Sequence, residues 1–322
     1  MIMNEKLLLI TQIHRSGGTL LSQLFDSHSQ LYSHPGELEI WKPKPVWGQY
    51  KHLVQFYPNN KTWTECFDNL QQERLTQIST TKIFNKPGLN KFSQIQQFKI
   101  TYSEEKHKQL FHEYFLTLNE ITRASVVHIY LKSLFESWDQ LQHYPRKYMN
   151  CFAANTWCDQ ISMIRFFQDF PSATVIFLLR RPDTWLKSVL PHRGFSSTDA
   201  TAALFLLELW WESLRNLYTY YEIFGSKIIP VIYEDLTDDT ENIMKKLCVH
   251  LDLNYEPTLV QPTFLGQAIY PNSSFNIDRL GVISNKTRNS PEFTPEIQKL
   301  FSNGYMEEYY MARDIIRNKY YK

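Results

Sequence analysis

Cysteine is scarce in this chain, and neither sign of charge dominates. The 322 residues include 4 cysteines, Cys66, Cys151, Cys158 and Cys248, with no CxxC pair and no Cys/His cluster at metal-ligand spacing. That excludes a disulfide framework and a thiolate metal site, so no metal is expected and a reduced compartment is the default. Lys and Arg total 34 against 33 Asp and Glu, a formal net charge of +1. No global field exists to recruit nucleic acid or an anionic membrane, and any anion site must be local. Long apolar runs are also missing. The N-terminal run from Leu7 to Thr11 is too short for a signal sequence or a membrane span, and Ala202 to Trp211 is interrupted by Glu208 and soon followed by Glu212 and Arg215. There is no internal repeat, low-complexity tail or interdomain linker. A cytoplasmic chain without a membrane span, folded as one domain over residues 1–322 with a substantial core, is the expectation.

Short apolar runs are present, and turns and helical patterns follow them. Lys6 to Ile13 leads into a Gly pair and a helix from about Thr19 to Ser27. Ala173 to Leu179 leads into Arg-Arg-Pro and a helix through Ser188. Ile228 to Tyr233 leads into Glu-Asp-Leu and a helix starting near Asp239, with Thr237 or Asp238 as its cap, and Tyr148 to Ala153 is a weaker fourth run. Continuous apolar strands alternating with helices predict an α/β fold, a parallel sheet flanked by helices on both faces. Glu104 to Gln142, Asp199 to Phe224 and Thr294 to Arg317 read as long helices. Between Trp41 and Phe98 the pattern dissolves into Pro, Asn, Lys and aromatics.

The first turn carries chemistry. In KLLLITQIHRSGGTLLSQLF, residues 6 to 25, a buried strand runs into Arg15-Ser16-Gly17-Gly18-Thr19 and then into a helix. Backbone N–H groups freed by the glycines at a helix N-terminus form an anion cradle. Thr19 adds a hydroxyl, and Arg15 adds a planar cationic fork suited to phosphate or sulfate oxygens. The loop is not a Walker A sequence: aligned on GxxxxGK[ST], Gly18 falls where the lysine belongs and Gln12 where the first glycine belongs. The cation stands ahead of the glycines, which argues against an ordinary ATPase or GTPase.

Ile13 to Leu21, IHRSGGTLL, resembles the PRSGTTLL 5′-phosphosulfate loop of the sulfotransferases that use 3′-phosphoadenosine 5′-phosphosulfate (PAPS), with His14 in place of the proline and Gly18 in place of a threonine. The resemblance implies a P-loop-type sheet and donor binding by Arg15, Ser16, Gly17, Gly18, Thr19 and Leu20. ATVIFLLRRPDTWLKSVL resembles the same family's 3′-phosphate signature, with Arg180, Pro182 and Ser188 in its positions. An arginine at a strand end and a serine about two turns into the next helix can converge on one phosphate. Val231 to Leu236, VIYEDL, resembles the family's YEDL strand end. Gln261 to Phe275 resembles a loop of some bacterial members, which implies donor contacts from Asn272, Ser273 and Ser274.

By the same resemblance the activity is sulfuryl transfer from PAPS to a hydroxyl or amine, with adenosine 3′,5′-bisphosphate (PAP) as the product. The acceptor's proton needs a base. Glu37 is the positional match just beyond the first helix, Glu39 the alternate, and His14, inside the loop, a third candidate; His28 and His34 fit a helix end and a turn better. Lys82, Lys86 and Lys147 are all open as a contact to the leaving oxygen. Residues 41–146 form an acceptor-side insertion, with Trp41, Trp47, Tyr50, Phe56 and Trp63 as a platform or as packing. The acceptor, whether sugar, lipid, phenol or peptide, and the oligomeric state are not encoded legibly. A P-loop kinase acting on a nucleotide or small molecule and a non-catalytic binder of phosphorylated ligands are the competing readings.

Overall fold

The computed structural model describes residues 6–33, 58–70, 103–137, 148–154, 160–264, 267–268, 281–282 and 292–320. Five strands, β1 (Lys6–Gln12), β2 (Leu31–Ser33), β3 (Tyr148–Ala154), β4 (Thr174–Leu179) and β5 (Ile228–Ile232), form one sheet in the order β2-β3-β1-β4-β5. Every neighbouring pair is parallel. The four strands expected from the apolar runs are there; β2, with only three residues, is too short to register as a pattern.

Both faces of the sheet are buried, which is why its strands read as unbroken apolar runs. Successive side chains alternate between two cores. Leu7 and Leu9 of β1, Val175 and Phe177 of β4 and Ile228 and Ile232 of β5 enter one core. Leu8 and Ile10, Ile176 and Leu178, and Ile229 and Val231 enter the other. The second core is closed by α1 (Gly18–Phe25), through Leu21, Leu24 and Phe25, and by residues Ile243, Met244 and Leu247 of a later helix. The first and larger core is closed by the layer of α2 (Trp63–Leu70), α3 (Glu104–Leu116) and α4 (Arg123–Glu136), together with α5 (Gln160–Asp169), α6 (Pro182–His192) and α7 (Ala200–Phe224).

Three helical expectations need correction. The stretch from Glu104 is two helices: a Thr122–Ser125 capping box starts α4 afresh after the chain turns at Thr117. The C-terminal helix is also divided, into α10 (Pro295–Leu300) and α11 (Tyr305–Tyr320), because Gly304 at φ 94 breaks the helical path. After β5, Glu-Asp-Leu is itself helical: α8 (Tyr233–Asp238) starts at once, and α9 (Thr240–His250) follows with Asp239, not Thr237 or Asp238, at its N-cap. Smaller shifts occur elsewhere: α1 ends at Phe25 rather than Ser27, and α6 runs on past Ser188 to His192.

The register places the site. Gln12 lies opposite Leu178, and Leu179 lies opposite Ile232, so β1, β4 and β5 end level with one another. The turns that follow them stand side by side at the carboxyl edge of the sheet, where parallel α/β sheets bind ligands.

Candidate active site

The β1–α1 turn is built around two left-handed backbone positions. Arg15 has φ 69 and Gly17 has φ 104. A non-glycine residue in that region costs about 1 kcal/mol or more and persists only where its surroundings hold it. Here the neighbouring elements do so through the loop's carbonyls. The Trp185 indole N–H donates to the His14 carbonyl at 2.6 Å, and Arg180 Nη1 donates to the Arg15 carbonyl at 2.7 Å. Gly17 is required on steric grounds as well. A Cβ there would stand 2.6 Å from Cε2 of Tyr233 and closer still to Cδ2. Gly18 is buried at the first position of α1, and Thr19 and Leu20 follow, half-buried, in its first turn.

The second turn closes over the first. Arg180 is 5% exposed at the end of β4, and Ser188 lies about two turns into the helix that follows. Arg15 Nε donates to Ser188 Oγ at 3.2 Å across 173 residues of sequence, so the two motifs read separately in the chain are in direct contact. The Arg180 guanidinium lies 4.5 Å from the centroid of the Tyr233 ring, a cation–π arrangement, while Arg180 Nε donates to Thr184 Oγ1 at 3.3 Å. The Arg180 carbonyl accepts the Trp210 indole N–H at 2.8 Å.

The third turn supplies a half-buried carboxyl group. Glu234 receives the Arg181 backbone N–H at 3.2 Å, the Thr184 hydroxyl at 2.9 Å and the Tyr309 hydroxyl at 2.9 Å. Burial raises its carboxyl above the ordinary carboxylate pKa, against the opposing pull of the Arg180 charge and of the Thr184 and Tyr309 hydrogen bonds. Arg181 itself turns outward and pairs with Asp183 at 2.6 Å. At the far end of α6, burial and the charges of Arg15 and Arg193 lower the pKa of His192, whose ring centroid lies 6.2 Å from that of His14.

Of the residues expected to act, the structure gathers His14, Arg15, Ser16, Gly17, Gly18, Thr19, Leu20, Arg180 and Ser188 at one edge of the sheet. Glu37, Glu39, Asn272, Ser273 and Ser274 lie outside the described residues, as do His34, Lys82, Lys86 and Lys147. His28 has a structural place: its Nδ1 accepts the Gln30 backbone N–H at 3.0 Å, and its Nε2 donates to the Asn254 carbonyl at 2.8 Å. Trp63 stacks on His112 and packs against the larger core, which gives it a packing role. Sequence reading missed Thr184, Trp185, Trp210, Tyr233, Glu234 and Tyr309 as parts of the site. The available signal was position: Thr184 follows Arg180 by one helical turn, and Tyr233 and Glu234 directly follow a buried strand at the ligand-binding edge.

The hydroxyl of Ser16 is buried inside the loop and has no hydrogen-bond partner among the described residues. Buried polar groups are nearly always satisfied, so an orphan hydroxyl beside a helix N-terminus and two arginines suits an oxyanion ligand. Among the described residues no group of His, Cys, Asp or Glu is arranged to hold a metal ion, and no helix is long and apolar enough to cross a membrane.

Comparison with known proteins identifies the family and the fold. The sequence model of the sulfotransferase family matches residues 8–257. Two solved structures share the fold. The sulfotransferase domain from the curacin biosynthetic pathway superposes with a TM-score of 0.53 at 16% identity, over 93% of this chain and 97% of that one. The sulfotransferase domain from the Synechococcus PCC 7002 olefin synthase gives 0.54 at 16% identity, over 93% and 94%. No curated protein matches the chain.

Proposed function

The chain belongs to the sulfotransferase family, and from that premise we propose that it transfers a sulfuryl group from PAPS to a hydroxyl or amine acceptor. One observation carries the reading: the Arg15–Ser188 and Arg180–Arg15 hydrogen bonds fuse two oxyanion-binding turns into a single site. A donor phosphorylated at both its 5′ and 3′ ends needs two such turns within one molecule's reach. The orphan Ser16 hydroxyl fits that donor, and the close packing of Gly17 on the Tyr233 ring holds the loop in place around it.

In this reading the backbone N–H groups of Gly17 to Leu20 and the side chains of Arg15, Ser16 and Thr19 hold the 5′-phosphosulfate, while Arg180 and Ser188 hold the 3′-phosphate. The donor supplies an activated sulfuryl group. The protein supplies in-line positioning and stabilises charge on the departing phosphate, the two terms that dominate group transfer of this kind. Arg15 is placed for both, because its side chain reaches α6 while its backbone belongs to the loop. The acceptor's proton goes to a general base: the carboxylate of Glu37, with Glu39 as the alternate, or the imidazole of His14 within the loop. Asn272 to Ser274 complete the donor site, residues 41–146 form the acceptor side, and the acceptor is a sugar, lipid, phenol or peptide. The free, buried thiols of Cys66 and Cys248 fit a cytoplasmic location.

Calorimetry with PAP and with ATP tests the proposal. Tight, metal-independent binding of PAP is expected, and Arg180→Ala should weaken it about tenfold to a hundredfold, the scale of a lost charge-assisted hydrogen bond. Preference for ATP with magnesium would overturn it and favour the kinase reading. Glu37→Gln should leave PAP binding intact and lower turnover by about two or more orders of magnitude; unchanged turnover would move the base to Glu39 or His14.

A further inference from the structure

A continuous run of hydrogen bonds links the C-terminal helix to the guanidinium assigned to the donor's 3′-phosphate. Tyr309 on α11 donates to Glu234 Oε2 at 2.9 Å. Thr184 Oγ1 on α6 donates to Glu234 Oε1 at 2.9 Å and accepts from Arg180 Nε at 3.3 Å. The Arg181 backbone N–H, at the mouth of the β4–α6 turn, also points at the Glu234 carboxylate. The polarity of this run is fixed at one end. The Arg181 N–H donates to both Glu234 oxygens and the Tyr309 hydroxyl to Oε2, so the carboxyl group acts as the acceptor, the Thr184 proton is directed toward it and the hydroxyl's lone pairs are left facing Arg180 Nε. A neutral group in the same place would let Thr184 turn its proton to the Arg181 carbonyl, 3.1 Å away, and would release that orientation.

The placement matters because Thr184 adds a directional bond to the hold that the loop and a ring face have on Arg180. Nη1 reaches the Arg15 carbonyl, and the flat guanidinium lies over Tyr233. A ring face fixes a plane but permits rotation within it, and the bond from Nε to Thr184, together with that from Nη1 to the Arg15 carbonyl, sets the rotation. We propose that Glu234 is a positioning residue which, acting through Thr184, aims the Arg180 guanidinium at the 3′-phosphate, so that the YEDL turn confers the preference for a 3′-phosphorylated donor. The inference rests on the assignment of Arg180 to that phosphate.

Calorimetry on the full chain with PAP and with adenosine 5′-monophosphate separates the two ideas. The wild-type protein should favour PAP strongly. Glu234→Gln and Thr184→Val should each weaken PAP about tenfold, the scale of one charge-assisted hydrogen bond, with monophosphate affinity unchanged. Thr184→Ser, which keeps the hydroxyl, should restore the preference. Thr184→Val leaves the Glu234 carboxyl group and its Tyr309 bond in place, so it reads the relay even if Glu234→Gln fails to fold. A wild-type protein indifferent to the 3′-phosphate would overturn the Arg180 assignment together with the inference. Wild-type preference retained in Thr184→Val, or a parallel loss for both nucleotides that Thr184→Ser fails to reverse, would overturn the inference alone.

Discussion

The turns at the carboxyl edge of the sheet and the helical layer of α2, α3 and α4 are held by different physics. At the edge, polar groups distant in sequence bind one another: Arg15 to Ser188, Arg180 to the Arg15 carbonyl, Trp185 to the His14 carbonyl, Glu234 to Thr184 and Tyr309. In the layer, aromatic rings do the work. Phe67 packs edge-on against His107 and Phe111, both of which pack against Tyr130, while the polar bonds are mostly local caps such as Ser103 to Lys106 and Thr122 to Ser125. An apolar cluster tolerates rearrangement as long as volume is kept. A polar network in a low-dielectric setting does not, because each broken bond strands a partner. The edge is therefore built to hold one geometry, as a site for an oxyanion requires, and the layer is built to bury area.

The sharpest way to break the edge is to fill the space at Gly17. Gly17→Ala should cost about 3 kcal/mol, combining an overpacked contact with the Tyr233 ring and a left-handed backbone that alanine resists. Thermal or urea unfolding reads that cost, and PAP affinity should fall with it, because Tyr233 also lies against Arg180. Gly304→Ala is the control. Its φ of 94 is as left-handed, but a Cβ there meets nothing within 4 Å, so the cost should be only about 1 kcal/mol. Equal costs at the two positions would show that the Tyr233 contact yields easily and that the edge is softer than its hydrogen bonds imply.

The same contrast explains what was legible in the sequence. Strands buried on both faces appear as apolar runs, so β1, β3, β4 and β5 and the fold class were readable, whereas β2 has three residues and leaves no period to detect. The turn at Arg15 to Thr19 was readable because turn chemistry is local, and Arg180 and Ser188 stood out through the family resemblance. The contact between them was not readable, since it depends on the register that sets Gln12 beside Leu178. Thr184 was opaque for the same reason, and Tyr233 and Glu234 were read as part of the YEDL resemblance but without a role, because only the level ends of β1, β4 and β5 make these residues neighbours. Among the helices, the breaks at Thr117 in the layer and at Gly304 near the C-terminus were missed, because a capping box and a left-handed residue decide where those helices end.

The layer has its own point of polar tension, and it sharpens the comparison through pH. His107 is fully buried, donating from Nε2 to the Tyr130 carbonyl at 3.1 Å, and burial drives its pKa down from 6.5 to about 3. In the unfolded chain the same imidazole titrates near 6.5. Between those values the unfolded state binds a proton that the folded state refuses, so stability is fully present above about pH 6.5 and falls as the pH drops toward 3. From pH 7 to pH 5 this one residue should remove about 2 kcal/mol of unfolding free energy. Urea unfolding at the two pH values checks it: His107→Gln keeps a donor for the Tyr130 carbonyl but does not titrate, so its pH 7 to pH 5 loss should be smaller than the wild type's by about that amount. An unchanged loss would mean that His107 is protonated in place, and that the aromatic layer, not the edge, is the part of the molecule that opens to admit charge.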